Sequence, residues 1–162
     1  MNFFLINADK KFLLHAWVAA FLAIFAALIA EYVFGLKPCA WCWYQRYPYI
    51  VLLVFLPFLW RVYPRFAVYF SLLIYAVEIA LAFTHFGIEK HWWSFEEGCG
   101  VARVIADSLE AELAALLATP AVPCDKPAFV FLGLSMAAWN IIYSGFLLLY
   151  IIYSFALKKH DQ

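Results

Sequence analysis

The sequence predicts an all-α membrane protein, a bundle of four transmembrane helices with a short amphipathic helix in the second external loop. Two observations lead to this class. Of the 162 residues, 68% are hydrophobic and 14% are charged, and the mean hydropathy is +0.86, a composition typical of chains surrounded by lipid. Four apolar segments also approach the roughly 20 residues that a helix needs to cross a bilayer.

Each apolar segment is predicted to be a helix, because a lone strand in lipid would leave its backbone donors and acceptors unpaired. The predicted spans are about 12–34, 43–60, 66–86 and 129–157. The first could be read as a signal peptide, but its apolar run is too long and lacks an A-x-A cleavage pattern, so a permanent helix is expected. No repeat or polar linker divides the chain, and 1–162 are expected to form a single integral membrane domain.

Basic residues lie at one side of the predicted bundle. By the positive-inside rule this side is cytoplasmic, so both termini are predicted to be cytoplasmic. The loops at about 35–42 and 87–128 are then external and hold all four cysteines, which suits disulfide chemistry in an oxidising compartment. The basic residues that set this orientation are Lys10, Lys11, Arg61, Arg65, Lys158 and Lys159.

The second external loop contains apolar residues at steps of three and four positions from Val101 to Leu117. This pattern predicts an amphipathic helix over 101–119, about 28 Å long at 1.5 Å per residue. Two placements stay open for it, flat on the membrane surface or packed against the top of the bundle.

The second span is preceded by a C-x-x-C motif formed by Cys39 and Cys42. Pro38 disfavours helix before the motif, so the span is predicted to start at or just after Cys39, with Cys42 near a helix N-terminus that favours a thiolate. Arg46 lies four residues beyond Cys42, on the same helix face, where its charge can stabilise that thiolate. The alternative for Arg46 is a cation that extends to the membrane surface.

Three other interpretations of the cysteines compete with a redox role. Covalent haem is excluded, because Trp43 stands where a C-x-x-C-H motif needs histidine. Structural zinc is disfavoured and no metal is expected, because 24 residues separate Cys99 from Cys124. A purely structural bridge between those two would contribute about 3.5 kcal/mol, but it leaves the C-x-x-C motif unexplained.

With its flanking residues, the motif resembles the bacterial disulfide bond formation protein B (DsbB) family of quinone-dependent thiol oxidases. The matching segments are Leu36-Lys37-Pro38-Cys39-Ala40-Trp41-Cys42, Tyr44-Gln45-Arg46, Pro123-Cys124-Asp125 and Phe131-Leu132-Gly133-Leu134-Ser135-Met136. Four spans and two external cysteine pairs agree as well. The resemblance implies an enzyme of the bacterial inner membrane, a quinone-dependent protein-disulfide oxidoreductase.

The resemblance also implies an electron relay. A reduced periplasmic partner of the DsbA type, with a thioredoxin fold, would attack the Cys99–Cys124 disulfide at Cys99. Cys124 would pass electrons to Cys39, and Cys42 would react with a quinone, ubiquinone or menaquinone, from the membrane pool. Arg46 matches the quinone-site arginine of the family. The zero net charge and the absence of a basic patch give no indication of nucleic-acid binding.

Further candidate residues lie near the outer end of the third span, deeper within it and around the motif. The position of His85 in the third span resembles one near the quinone, and an interfacial histidine is the alternative. Glu78, two turns earlier, is either a functional carboxyl or, more plainly, one hydrogen-bonded to a neighbouring helix. The aromatic residues around the motif form either a slot for the quinone ring or an interfacial belt; they are Trp41, Trp43, Tyr44 and Tyr47.

Two further functions remain as alternatives. The first is a non-enzymatic membrane subunit whose disulfides only hold its loops. The second is a quinone-linked relay like vitamin K epoxide reductases, which also combine four helices with two cysteine pairs. Their C-x-x-C motif lies late in the chain, whereas here it lies between the first and second spans, so this order argues against them.

Overall fold

The computed structural model describes residues 3–93 and 122–160. This part of the chain forms four long helices and a short antiparallel hairpin. The predicted all-α membrane fold with four bundled helices is confirmed, while the amphipathic helix predicted over 101–119 lies outside the described residues. The elements are α1 (Phe3–Tyr32), α2 (Ala40–Val62), α3 (Pro64–Glu89), β1 (Val130–Phe131), β2 (Leu134–Ser135) and α4 (Met136–His160).

Three of the described helices are long and apolar enough to cross a membrane, by length and composition. They are α1 over Lys11–Tyr32, all of α3, and α4 over Met136–Ser154. The remaining helix, α2, has 23 residues and is therefore about 35 Å long at 1.5 Å per residue. It carries Arg46 near one end and Arg61 at the other, which lowers its mean apolarity without shortening it.

The helix ends follow from local chemistry. After α1, the chain turns at Gly35, whose positive φ of 66° suits the left-handed conformation that commonly ends helices. Cys39 is the N-cap of α2, so the predicted start of this helix at the motif is confirmed. A single residue, Tyr63, separates α2 from α3, and Pro64 occupies the first turn of α3, where proline costs no hydrogen bond.

The fourth helix starts seven residues later than the sequence analysis predicted, so the boundary at 129 was wrong. β1 and β2 precede it, with Val130 opposite Ser135. Their two-residue turn has positive φ at Leu132 (51°) and Gly133 (79°), the conformation of a type I′ hairpin. The apolar run continues through this hairpin, and hydrophobicity alone does not separate a short strand from a helix. The other predicted boundaries differ by smaller amounts, except that α1 begins at Phe3 rather than near Phe12.

Small residues of α1 allow the other helices to approach its backbone closely. Ala16, Ala19 and Ala20 are buried. Tyr75 of α3 donates to the carbonyl of Ala16 at 2.8 Å, and Tyr143 of α4 donates to that of Ala19 at 2.8 Å. These bonds satisfy polar groups for which the hydrocarbon core of the bilayer offers no hydrogen-bond partner.

The two ends of the bundle differ. At one end, near the start of α1, His15 hydrogen-bonds the hydroxyl of Tyr150 at 2.9 Å. Arg61, in the last turn of α2, and Arg65, in the first turn of α3, flank the α2–α3 connection. At the other end, Cys39, Ile88 and Cys124 form a small buried cluster. The described cysteines therefore lie at the end opposite the basic residues.

Gly87 provides a test of packing at the cysteine end. A Cβ added there would lie 2.1 Å from the ring of Trp93, whose indole N–H donates to the carbonyl of Thr84 at 3.2 Å. We expect Gly87→Ala to displace this ring and lower the free energy of unfolding by about 1–2 kcal/mol, the usual scale of overpacking. Thermal unfolding in detergent measures the loss. Gly145→Ala is the matched control, because nothing lies within 4 Å of its added Cβ; equal stability of the two variants would contradict the prediction.

Candidate active site

The C-x-x-C motif lies at the start of α2, with its two sulfurs facing each other. The Sγ atoms of Cys39 and Cys42 are 2.7 Å apart. The Cys39 sulfur also accepts a hydrogen bond from the backbone N–H of Cys42 at 3.2 Å, so it caps the first turn of the helix. Since disulfide sulfurs are about 2.05 Å apart, this pair can close into a disulfide with little movement of the backbone.

The proton of the reduced pair is held mainly by Cys39. The hydrogen bond to the Cys42 side chain, together with burial, raises the pKa of the Cys39 thiol above its ordinary value. Cys39 therefore forms a thiolate only at a cost, whereas Cys42 lies one turn inside the helix N-terminus, whose dipole favours negative charge.

Cys124 packs directly behind the motif. It is 1% exposed and shares a buried cluster with Cys39 and Ile88. A third sulfur thus lies in the same buried cluster as the dithiol. Cys99, the other predicted redox cysteine, lies outside the described residues.

His85 of α3 lies beside the dithiol. Its Nε2 is 3.5 Å from the Cys39 sulfur, and its Nδ1 is 2.6 Å from the side-chain nitrogen of Gln45. A Glu89 oxygen lies 3.9 Å from Nε2. His85 is thus held between the Gln45 side chain and the Cys39 sulfur.

Arg46 lies one turn below Cys42 and is only 9% exposed. Its guanidinium forms an ion pair with Glu31 of α1 at 2.5 Å and lies over the ring of Trp43, 4.6 Å from the centroid. Both contacts fix a charge that would be expensive to leave unpaired in the bundle.

A cavity of about 490 Å³ lies next to the dithiol, between the second half of α1 and the first part of α4. Its wall on α1 is made largely of alanines, which leave room for a flat molecule. Both sulfurs of the motif, the Arg46 side chain and His85 reach it. Other lining residues include Ala23, Ala26, Ala27, Ala30, Gln45, Tyr49, Glu89, Met136, Trp139, Asn140 and Tyr143.

The aromatic residues around the motif do not line this cavity. Trp43, Tyr44 and Tyr47 are between 43% and 53% exposed on the outer surface of α2. The aromatic rings that do line the cavity are Tyr49 of α2 and Trp139 and Tyr143 of α4. Of the two interpretations of the motif aromatics, the structure therefore favours an interfacial belt.

Cys39, Cys42 and His85 also form a cluster of the kind that binds metals, with ligand atoms within 4.8 Å of one another. Zinc at about 2.3 Å from each thiolate would need the sulfurs roughly 3.7 Å apart in a tetrahedron, well beyond the 2.7 Å between them. The described residues supply three such ligands in this cluster, and the pair fits disulfide formation better than metal binding.

Buried polar residues of three helices lie below the dithiol. Glu78 is 0% exposed and accepts a hydrogen bond from Asn140 of α4 at 2.5 Å, the interhelical bond expected for it. Asn140 also donates to Gln45 at 2.8 Å. In the sequence analysis Gln45 appeared only within a matching segment, and Glu31, Glu89 and Asn140 were not among the candidate residues. Isolated polar residues within apolar spans are nevertheless a usable signal.

The fold and this site define a class, a multi-pass membrane protein with a dithiol beside a cavity at one end of its helices. Comparison with known proteins gives the family. The profile of the family described as "Disulfide bond formation protein DsbB" matches residues 9–154, and the chain belongs to this family.

One curated relative is similar in sequence, but its printed name describes no activity. The chain is similar to "Uncharacterized protein RP370" of Rickettsia prowazekii (strain Madrid E), at 26% identity over 134 residues, which cover 80% of this chain and 78% of that protein. No solved structure matches the chain.

Proposed function

We propose that this protein is a thiol:quinone oxidoreductase that reoxidises a DsbA-like thioredoxin-fold partner and passes the electrons to a membrane quinone. Membership in the disulfide bond formation family supports the general role. The observation that carries the finer proposal is the position of the dithiol. Cys39 packs in one buried cluster with Cys124, and both cysteines of the motif border the cavity together with Arg46.

The relay begins at the loop cysteines. The thiolate of the reduced partner attacks Cys99, which breaks the Cys99–Cys124 disulfide and leaves the electron pair on Cys124. The Cys124 thiolate then attacks Cys39, which breaks the Cys39–Cys42 disulfide and releases Cys42 as a thiolate. Cys124 and Cys39 are already in one buried cluster, so this second exchange needs little rearrangement.

The remaining steps return the four cysteines to their starting state. The second thiol of the partner resolves the mixed disulfide and leaves as the oxidised partner, so Cys99 becomes a thiolate. Cys99 attacks Cys124, which restores the loop disulfide and releases Cys39. Cys39 then bonds to Cys42, and the two electrons released by this oxidation would pass, with two protons, to a quinone in the cavity. Two electrons and two protons thus pass from the partner dithiol to the acceptor.

The cavity suits a quinone headgroup in size and lining. Its volume of about 490 Å³ falls within the range of small-molecule sites, which are largely apolar with a few polar groups. A bound quinone supplies a two-electron acceptor that is soluble in the bilayer. Arg46 holds positive charge where the acceptor gains negative charge, and Cys42 presents its sulfur from the same helix face.

We further propose that the protein lies in the bacterial inner membrane as one integral domain, with its termini cytoplasmic and its cysteines periplasmic. The basic residues at the end opposite the described cysteines support this orientation, because cytoplasmic loops are enriched in Lys and Arg. An oxidising periplasm also suits disulfide exchange.

The proposal is tested with the purified full-length protein, a reduced DsbA-like partner and either ubiquinone or menaquinone. We expect quinone-dependent oxidation of the partner, with one quinone reduced per partner dithiol oxidised, followed by quinone absorbance. Omission of the protein or the quinone is the control. Absence of quinone reduction with both quinones and several partners would refute the proposed function.

A further inference from the structure

A chain of hydrogen bonds runs through the bundle from α4 to the dithiol. It joins Tyr49 to Asn140 at 2.5 Å, Asn140 to Gln45 at 2.8 Å and Gln45 to His85 at 2.6 Å. His85 Nε2 then lies 3.5 Å from the Cys39 sulfur. Tyr49, Gln45 and His85 are each less than 9% exposed. Water therefore has little access to compete for these hydrogen bonds.

The direction of each bond follows from the donors and acceptors available. The Tyr49 hydroxyl donates to the Asn140 side-chain oxygen. The Asn140 nitrogen must then point the other way, where it donates to the oxygens of both Gln45 and Glu78. Both of its hydrogens are used, and the orientation of the amide is fixed at both ends.

The hydrogen bonds of Gln45 have the same donor-to-acceptor direction. Its oxygen accepts from Asn140, so its nitrogen is the atom that faces His85 Nδ1. A nitrogen that receives this hydrogen bond cannot carry a proton itself, and the neutral ring must hold its proton on Nε2.

We propose that Asn140 and Gln45 are positioning residues that hold His85 with its Nε2–H directed at the Cys39 sulfur, where it stabilises the Cys39 thiolate during disulfide exchange. This inference rests on the proposed function and adds residues to its mechanism. The side-chain amides relay orientation rather than protons, because neither Asn140 nor Gln45 gives up a proton in the process.

The step that a hydrogen bond from His85 assists is the release of Cys39 as a thiolate. When Cys99 attacks Cys124, the Cys39–Cys124 bond breaks and its electron pair stays on Cys39. Burial and the Cys42 sulfur disfavour charge on Cys39, so a donor aimed at this sulfur lowers the cost of its departure. A hydrogen bond to a charged group is commonly worth about tenfold to a hundredfold in such an equilibrium.

The first measurement is the tautomer of His85 in the full-length wild-type protein, from the ¹⁵N chemical shifts of its ring. We expect a protonated Nε2 and an unprotonated Nδ1. A ring protonated on Nδ1 would overturn the proposal, because the hydrogen bond to Gln45 would then run in the opposite direction.

The second measurement is the rate at which reduced partner exchanges with quinone-depleted protein, which isolates the thiol steps from the cavity chemistry. We expect Gln45→Leu and Asn140→Leu to slow the release of Cys39 about tenfold and to let His85 populate both tautomers. Ser144→Ala is the matched control. Ser144 contacts Tyr49 at 2.7 Å but lies outside the path to His85, so the rate and the tautomer should stay unchanged.

The outcomes separate this inference from the proposed function. If wild type reduces quinone but both leucine variants exchange within twofold of it and keep the Nε2–H tautomer, the positioning role is refuted alone. If wild type reduces no quinone, the proposed function fails whatever the tautomer. Asn140→Leu leaves Glu78 without its bond, so should that variant not fold, Gln45→Leu and the wild-type tautomer still decide the question.

Discussion

Replacement of Cys42 by serine is expected to lower quinone-dependent oxidation of the partner by at least about a thousandfold, the scale on which loss of a nucleophile acts. Cys42 faces the cavity and lies 2.7 Å from the sulfur of Cys39, so no other described sulfur can replace it. A serine hydroxyl neither closes a disulfide nor leaves as a stable anion at neutral pH. The measurement is steady-state turnover with reduced partner and quinone.

A single-turnover experiment is the internal control for Cys42→Ser. The Cys99–Cys124 disulfide should still oxidise about one equivalent of partner, because that exchange precedes the step at Cys42. A burst of this size without turnover would place the defect at the dithiol. Full turnover would mean that the motif is a structural feature, as in the alternative of a non-enzymatic membrane subunit.

The second large effect is expected at Arg46. We predict that Arg46→Gln lowers kcat/KM for the quinone by about a hundredfold, comparable to removing one donor from a site that stabilises developing negative charge. Its guanidinium is nearly buried and lies on the cavity wall. Arg46→Lys should recover part of the loss, because it retains the charge without the planar contact to Trp43.

The ion pair with Glu31 requires its own control. Arg46→Gln leaves the Glu31 carboxylate unpaired, and this can destabilise the bundle. The double variant Glu31→Gln/Arg46→Gln removes both charges, so its thermal midpoint should recover while its kcat/KM stays low. Recovery of kcat/KM in the double variant would show that Arg46 acts only by neutralising Glu31.

The helices were largely predictable because every segment that crosses a bilayer must satisfy its backbone hydrogen bonds internally. Apolar length is sufficient to find them, and Pro38 with Cys39 marked the start of α2. The hairpin before α4 was not predictable in this way, since Val130, Phe131 and Leu134 continue the apolar run. Only the positive φ at Leu132 and Gly133 reveals the turn, and a Leu-Gly pair is a weak sequence signal for it.

The candidate site was likewise predictable only in part from the sequence. The chemistry of Cys39, Cys42 and Arg46 could be inferred from their spacing on one helix, and the structure places them on one cavity. Their placement supports the predicted roles without testing them. The pairing of Asn140 with Gln45 joins positions 95 residues apart in the chain, and no local pattern in one sequence encodes such a contact. The same holds for the Arg46–Glu31 ion pair, which depends on how α1 is rotated against α2.

The position of the cavity between α1 and α4 has a consequence for how an acceptor is supplied. These helices touch through Ala19 and Tyr143 and again at His15 and Tyr150, whereas the cavity occupies the space between them nearer the dithiol. On the function proposed above, a lipid-soluble acceptor would exchange sideways between these two helices, within the plane of the bilayer, while a protein partner would dock from water. Turnover should then follow the mole fraction of acceptor in the membrane rather than its concentration per volume of solution, and diluting the vesicles with buffer should leave that step unchanged.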